Sequence, residues 1–149
     1  MTVKAILACD ADWGIGKDGG LPWPHNPADL KWFKESTLNH TVVMGKATWD
    51  SLPVKPLPNR VNVVVSSQDI LAKVDVTSIK QLRRRLSSMD PDQDVWIIGG
   101  ARLIEGMMDY IDEFHLSQIS GTYNCDTFLP STVIQELYTL TSSQFVGDV

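Results

Sequence analysis

Cysteine is scarce in this chain: two residues, Cys9 and Cys125, stand far apart in 149. They lack the paired spacing of a metal site. They read as free thiols of a reducing, cytoplasmic compartment, with one long-range disulfide as the alternative. Long apolar runs are missing too. The run at residues 5–9 is cut off by Asp10 and Asp12, too short for a signal-peptide core or a membrane span. Basic charge is in deficit: 13 Lys+Arg against 18 Asp+Glu gives a net charge of −5. That excludes a broad nucleic-acid surface but permits a local basic pocket for a small phosphorylated ligand. His25, His40 and His115 are scattered without a Cys or carboxylate at ligand spacing, so no metal is expected. The serine pairs 66–67 and 87–88 lack a G-x-S-x-G context, so no serine nucleophile is expected. Repeats, low-complexity tracts and linkers are absent. What remains, 43% hydrophobic and 21% charged, suits one soluble domain over residues 1–149 with a sizeable core.

Strand and helix signals alternate. Residues 3–9, 40–45, 60–67, 94–100, 113–120 and 137–146 predict strands, and 27–37, 46–52, 78–89 and 101–111 predict helices. The expectation is an α/β fold: a single domain with a central, mostly parallel sheet flanked by helices. Its ligand crevice should lie at the carboxyl ends of the strands. Arg83, Arg84 and Arg85 read as a solvated helix face, and Trp49 and Trp96 as core.

Asp29 is the most informative residue. It stands in LPWPHNPADLKWFK, residues 21–34, among Leu21, Trp23, Leu30, Trp32 and Phe33. A carboxylate buried there without a partner would cost several kcal/mol. Two readings fit. A ligand with N–H groups satisfies it, or it only complements the dipole of a helix capped by Asn26 and opened by Pro27, the commoner case.

Glycines supply the second signal. GIGKDG, residues 14–19, matches G-x-G-x-x-G in form, but Pro22 and Pro24 preclude the helix a dinucleotide fingerprint needs. Residues 14–26 read instead as a mobile loop over a site. Gly99-Gly100 follows an apolar strand and opens a helix, a better phosphate cradle. Gly45 repeats the arrangement, with Lys46 and Thr48 as donors. Two such junctions, carrying Lys46 and Arg102, suit one extended phosphorylated ligand.

Taken in order, ILACDADWGIGKDGGLPW, PADLKWFK, VVMGKATWDSLPVKPLPNRVNVVVSS, WIIGGARL and CDTFLP resemble the dihydrofolate reductase family over most of the chain. The resemblance implies reduction of 7,8-dihydrofolate to tetrahydrofolate by NADPH, with hydride transfer to C6 and protonation of N5. Asp29 matches the carboxylate that binds the pterin, and Ser117 a Thr that bonds this carboxylate and, through water, the pterin. Leu21 and Trp23 belong with them in the catalytic group. Ile6, Ala8, Leu30, Phe33, Leu52 and Ile98 match the folate pocket. Arg60 matches the grip on the folate α-carboxylate, with Leu57 beside it.

The implied NADPH site takes Ala8, Ile15, Gly16 and Leu21 from the first strand and loop. Gly45, Lys46, Ala47 and Thr48 follow, then Ser66, Ser67 and Gln68. Ile98, Gly99, Gly100, Ala101, Arg102 and Leu103 complete it, with the glycine pair in a cis peptide. Residues 14–26 become the lid. Antifolates such as methotrexate or trimethoprim are implied ligands, and a monomer is expected, with an edge-mediated dimer as the alternative.

Some positions depart from the family pattern. Leu21 stands where Met is common, Ile104 where an aromatic is common, and Pro24, His25 and Asn26 lengthen the loop. The final strand is expected to be shortened, which would expose a sheet edge. Two other classes stay open: a riboflavin-pathway pyrimidine reductase of the same fold, which does not need Arg60, and a non-catalytic binding module, which Asp29, Phe33 and Arg60 disfavour.

Overall fold

The computed structural model describes residues 1–18, 21–23, 27–66, 78–140 and 143. Five strands run parallel in one sheet: β1 (Thr2–Cys9), β3 (Thr41–Gly45), β4 (Val61–Val65), β5 (Asp94–Ile97) and β6 (Glu113–Gln118), in the order β4-β3-β5-β1-β6. A short antiparallel pair, β2 (Gly14–Gly16) with β7 (Thr127–Phe128), forms a second sheet.

Both faces of the main sheet are covered, which is why β1, β3, β4 and β5 carry mostly apolar runs, while β6, at one edge, is mixed. On one face lie Val3, Ala5, Val43, Val63, Val95 and Ile97. Against them pack α3 (Ile79–Ser87) through Leu82 and Leu86, α4 (Ala101–Gly106) through Leu103 and Ile104, and α5 (Ser131–Leu137) through Ile134. On the other face lie Ile6, Val42, Met44, Val64, Trp96 and Ile98. There α1 (Pro27–Thr37) contributes Trp32 and Phe33, and α2 (Lys46–Ser51) contributes Trp49.

The helices follow local signals. Ser78 caps α3 by accepting a hydrogen bond from the Gln81 N–H at 3.1 Å. Burial of Leu82 and Leu86 then holds the helix, each by about 1.5–3 kcal/mol. In α1, Asp29 lies in the first turn and Lys34 in the last, both favourable to the dipole. Only Thr37 of this helix is fully buried. Trp32 and Phe33 stay half-buried and Leu30 exposed, so α1 presents an apolar face that is only partly covered.

Several elements differ from the sequence expectation. The expected helix over 101–111 is regular only to Gly106, where the Arg83 guanidinium donates to the Gly106 carbonyl at 3.0 Å. A side chain at Gly106 would also collide with Ile79. Arg83 is not simply solvated: it pairs with Asp109 at 2.7 Å and lies over the Tyr110 ring. The expected strand over 137–146 is overturned where it is described. Leu137 ends α5, and residues 138–140 are not in a strand. Residues 141–142 and 144–146 of that stretch lie outside the described residues.

Candidate active site

The carboxyl ends of the parallel strands point to one edge of the sheet. β1 brings Ala8 there, in register with Ser117 of β6. β5 ends at Ile97 and hands on to Ile98 and the Gly99-Gly100 junction. Above this edge, on the face that carries α1, sits Asp29.

Asp29 is half-buried, and the Ser117 side chain hydrogen-bonds its carboxylate. Burial pushes its pKa above the ordinary carboxylate value, and the Ser117 bond offsets only part of that. Lys31 does not neutralise it, since that ammonium reaches Glu35 at 3.9 Å in an exposed pair. Helix-dipole complementation therefore describes only part of its setting. The walls near it are apolar. Ile6 and Ile98 are buried in the core beneath α1, with Phe33, Leu52 and Leu57 packed against that core. Leu30 is 46% exposed.

Arg60 lies on the far side of α1. Its Nε–H donates to the Pro58 carbonyl at 3.0 Å and Nη1 to the Thr37 hydroxyl oxygen at 3.1 Å. Thr37 is fully buried and donates in turn to the Phe33 carbonyl at 2.8 Å. These bonds aim the guanidinium while leaving Nη2 without a partner among the described residues. No carboxylate there pairs with Arg60. Burial lowers its pKa, yet a guanidinium stays charged. Asn62 fixes the approach: its amide accepts from the Leu57 N–H at 2.9 Å and donates to the Leu57 and Arg60 carbonyls at 3.0 Å.

On the other side of β1, two strand-to-helix junctions meet. The Gly45 N–H donates to the Gly99 carbonyl at 2.9 Å. Gly99-Gly100 is a cis peptide, with Gly99 at φ +127°. A Cβ on Gly99 would stand 3.3 Å from Thr48 Oγ1, and one on Gly45 3.7 Å from the Gly100 nitrogen. Backbone thus approaches backbone with nothing interposed, and side chains would narrow the gap. Lys46 forms an ion pair with Asp50 one helical turn on. Ala47 and Arg102 are exposed, Ala101 is half-buried, and Ser66 is buried. Leu103 turns into the core of the opposite face. Ser67 and Gln68 lie outside the described residues.

The expected lid is partly ordered into β2. Ile15 packs toward the core, and Gly16 accepts a hydrogen bond from the Asp126 N–H at 3.0 Å. Asp126 in turn accepts from the Asp18 N–H at 2.9 Å. Leu21 is 64% exposed, whereas Trp23 is buried with its ring edge-on to Tyr123 at 6.0 Å. Thr37, Asn62 and Tyr123 were not singled out from the sequence. Thr37 and Tyr123 reach partners distant in the chain, Arg60 and Trp23, while Asn62 bonds Leu57 and Arg60 close by but through a turn that the sequence pattern does not mark.

Among the described residues, no group of three His, Cys, Asp or Glu side chains is placed to hold a metal, and no helix is long and apolar enough to cross a membrane. A half-buried carboxylate among apolar side chains, a fixed arginine and two glycine-bearing strand-to-helix junctions make up the candidate site. The comparisons make this specific. The family model for dihydrofolate reductase matches residues 2–148. The chain is 37% identical over 132 residues to dihydrofolate reductase of Mycobacterium leprae, covering 87% of this chain and 76% of that one. It is 37% identical over 136 residues to that of Staphylococcus aureus strain MW2, covering 91% and 82%. Among solved structures, dihydrofolate reductase from Enterococcus faecalis complexed with NADP(H) and RAB-propyl matches with a TM-score of 0.77 and 36% identity, covering 87% of this chain and 77% of that one. The chain belongs to the dihydrofolate reductase family.

Proposed function

We infer that the chain is one reductase domain over residues 1–149 that converts 7,8-dihydrofolate to 5,6,7,8-tetrahydrofolate at the expense of NADPH. The observation that carries the substrate reading is Asp29: a carboxylate raised in pKa by its apolar setting, oriented by Ser117, with Arg60 fixed across the apolar pocket. Asp29 takes the ring N–H and 2-amino group of the pterin. Ser117 holds the carboxylate in the plane those donors need. Ile6, Ala8, Leu30, Phe33, Leu52 and Ile98 enclose the rings and exclude bulk water. Arg60, beside Leu57, receives the α-carboxylate of the tail, using the N–H groups that Thr37 and Pro58 leave over. Asp29 polarises the pterin, and water carries the proton to N5.

NADPH, when bound, supplies the hydride to C6. The residues present fit such a group: with no side chain on Gly45, Gly99 or Gly100, a phosphate can approach the free N–H groups in the first turns of α2 and α4, and Thr48 is adjacent. Ala8, Ile15, Gly16 and Leu21 border the nicotinamide end, with Trp23 behind. Ala47 and Ser66 border the adenosine end, with Ala101 and Arg102 beyond the glycine pair. Diaminopyrimidine and pteridine antifolates are ligands of the Asp29 pocket in this reading. The domain acts as a monomer in a cytoplasm that keeps Cys9 and Cys125 as thiols.

The test is NADPH oxidation at 340 nm that depends on added dihydrofolate. Oxidation seen only with a ribityl-phosphate pyrimidine would assign the riboflavin pathway instead. A further expectation concerns Lys46. It must exchange Asp50 for the cofactor's 2′-phosphate, so its net contribution is reduced. Lys46→Ala should lower the NADPH/NADH ratio of kcat/KM by about threefold to tenfold, roughly 0.7–1.4 kcal/mol, through NADPH alone. An unaltered ratio would leave Lys46 as the partner of Asp50 only.

A further inference from the structure

Asp10 follows directly on β1 and is 1% exposed. Its side chain only accepts. Oδ1 takes the N–H of Asp12 at 2.9 Å and of Gly14 at 2.8 Å. Oδ2 takes the N–H of Tyr123 at 3.1 Å and the S–H of Cys125 at 3.4 Å. Two of these bonds are local, and the one from Asp12 is that of an Asx turn. The other two come from 113 and 115 residues along the chain. A turn has no use for them.

A buried carboxylate is costly unless every lone pair is used, and here both oxygens are filled. Burial works against ionisation, but the backbone N–H groups of Gly14, Tyr123 and Asp12 and the Cys125 thiol outweigh it, so the pKa falls below the ordinary carboxylate value. The segments gathered are not interchangeable with any surface loop. Gly14 begins β2, whose Ile15 and Gly16 border the cofactor in the reading above. Tyr123 sets its ring against Trp23. Cys125 sits so close over Gly14 that a side chain there would collide with it.

We propose that Asp10 is a positioning residue for the reduction: its carboxylate cross-braces β2 and the Tyr123–Cys125 segment, and so sets where the cofactor-facing strand and Trp23 stand relative to the sheet edge. The proposal rests on the reductase reading and on β2 bordering the cofactor. An amide cannot replace the carboxylate, because its NH2 would face two donors whichever way it turned.

The experiment is single-turnover hydride transfer at saturating NADPH and dihydrofolate, comparing NADPH with its 4-deuterated form, for wild type and Asp10→Asn. Kd values for NADPH and methotrexate and the Tm are measured alongside. The expected result is a transfer rate about threefold to tenfold lower and weaker NADPH binding, with methotrexate Kd within about twofold of wild type. A lower Tm with unchanged transfer would make Asp10 a stability brace and overturn the proposal. An equal loss of methotrexate binding would show general loosening and do the same. Should Asp10→Asn fail to fold, Cys125→Ala and Cys125→Ser decide. Alanine removes one donor and should slow transfer at least about twofold, whereas serine restores an O–H donor and should recover it. Transfer in Cys125→Ala equal to wild type would overturn the proposal. Wild-type protein without dihydrofolate-dependent NADPH oxidation would instead overturn the reductase reading.

Discussion

Asp29→Asn is expected to lower kcat/KM for dihydrofolate at pH 7 by at least about tenfold, roughly 1.4 kcal/mol or more of transition-state stabilisation. The amide keeps the shape and can still bond Ser117, but it loses the charge that the pterin N–H groups require. Cofactor affinity should be unchanged, because Asp29 stands across the sheet edge from the Gly45 and Gly99-Gly100 junctions. Activity of the variant should recover in part at acid pH, where the substrate carries its own proton. The same substitution should move stability the other way. Burial raises the folded-state pKa of Asp29 above the ordinary 3.8. The folded state thus holds its proton to higher pH than the unfolded chain does. Stability falls as pH climbs from the ordinary value through the raised one. Without ligand at pH 7, the variant should therefore have the higher Tm, and the gap should close toward pH 4. Unchanged kcat/KM would remove Asp29 from the chemistry, and a lower Tm at neutral pH would contradict the burial argument.

Arg60→Leu should weaken dihydrofolate and methotrexate by about 1.5–3 kcal/mol, about tenfold to more than a hundredfold in Kd. Diaminopyrimidines, which have no glutamate tail, should bind nearly as before. The selectivity follows from the anchoring of Arg60. Thr37 and Pro58 hold the guanidinium from behind, and Thr37 keeps its own bond to Phe33 when the arginine is gone. The pocket beneath α1 is thus not dismantled. Arg60→Lys should fall between, since an ammonium keeps the charge but not the planar fork. Isothermal titration with one inhibitor of each kind separates the outcomes, and equal losses would assign Arg60 to the fold.

Strands β1, β3, β4 and β5 were legible because each carries a mostly apolar run, whereas β6, at one edge, is mixed and largely half-buried. Helix α1 matched its expected span, residues 27–37, opened by Pro27. The misses share a cause. β2 and β7 have three and two residues, too few to show a period. Both exist because Asp10, Trp13 and Asp126 bond across from elsewhere in the chain. α5 went unread because Leu137, Tyr138 and Leu140 suggest alternation, while Ser131, Ile134 and Tyr138 follow a helical spacing. Ile134 is buried, and Tyr138 donates to the Ile111 carbonyl at 2.6 Å. At the site, Asp29 and the glycine junctions stood out by chemistry unusual for their surroundings, whereas Arg60 entered only through the family resemblance. Asp10 did not stand out. In sequence it only ended an apolar run, and two of its four donors, from Tyr123 and Cys125, become neighbours through the fold alone.

The seating of β1 bears on how the molecule is made. Thr2 pairs with Asp94 on one side, and Lys4 pairs with Glu113 on the other. A ribosome therefore releases β1, an interior strand of the sheet, long before either neighbour exists. Pairings this distant in the chain close late and slowly. Until about residue 97 has emerged, β1 has no neighbour and stays exposed to chaperones or to other nascent chains. Asp29 meets Ser117 only once β6 has emerged, so the site comes into being long after α1 has been made.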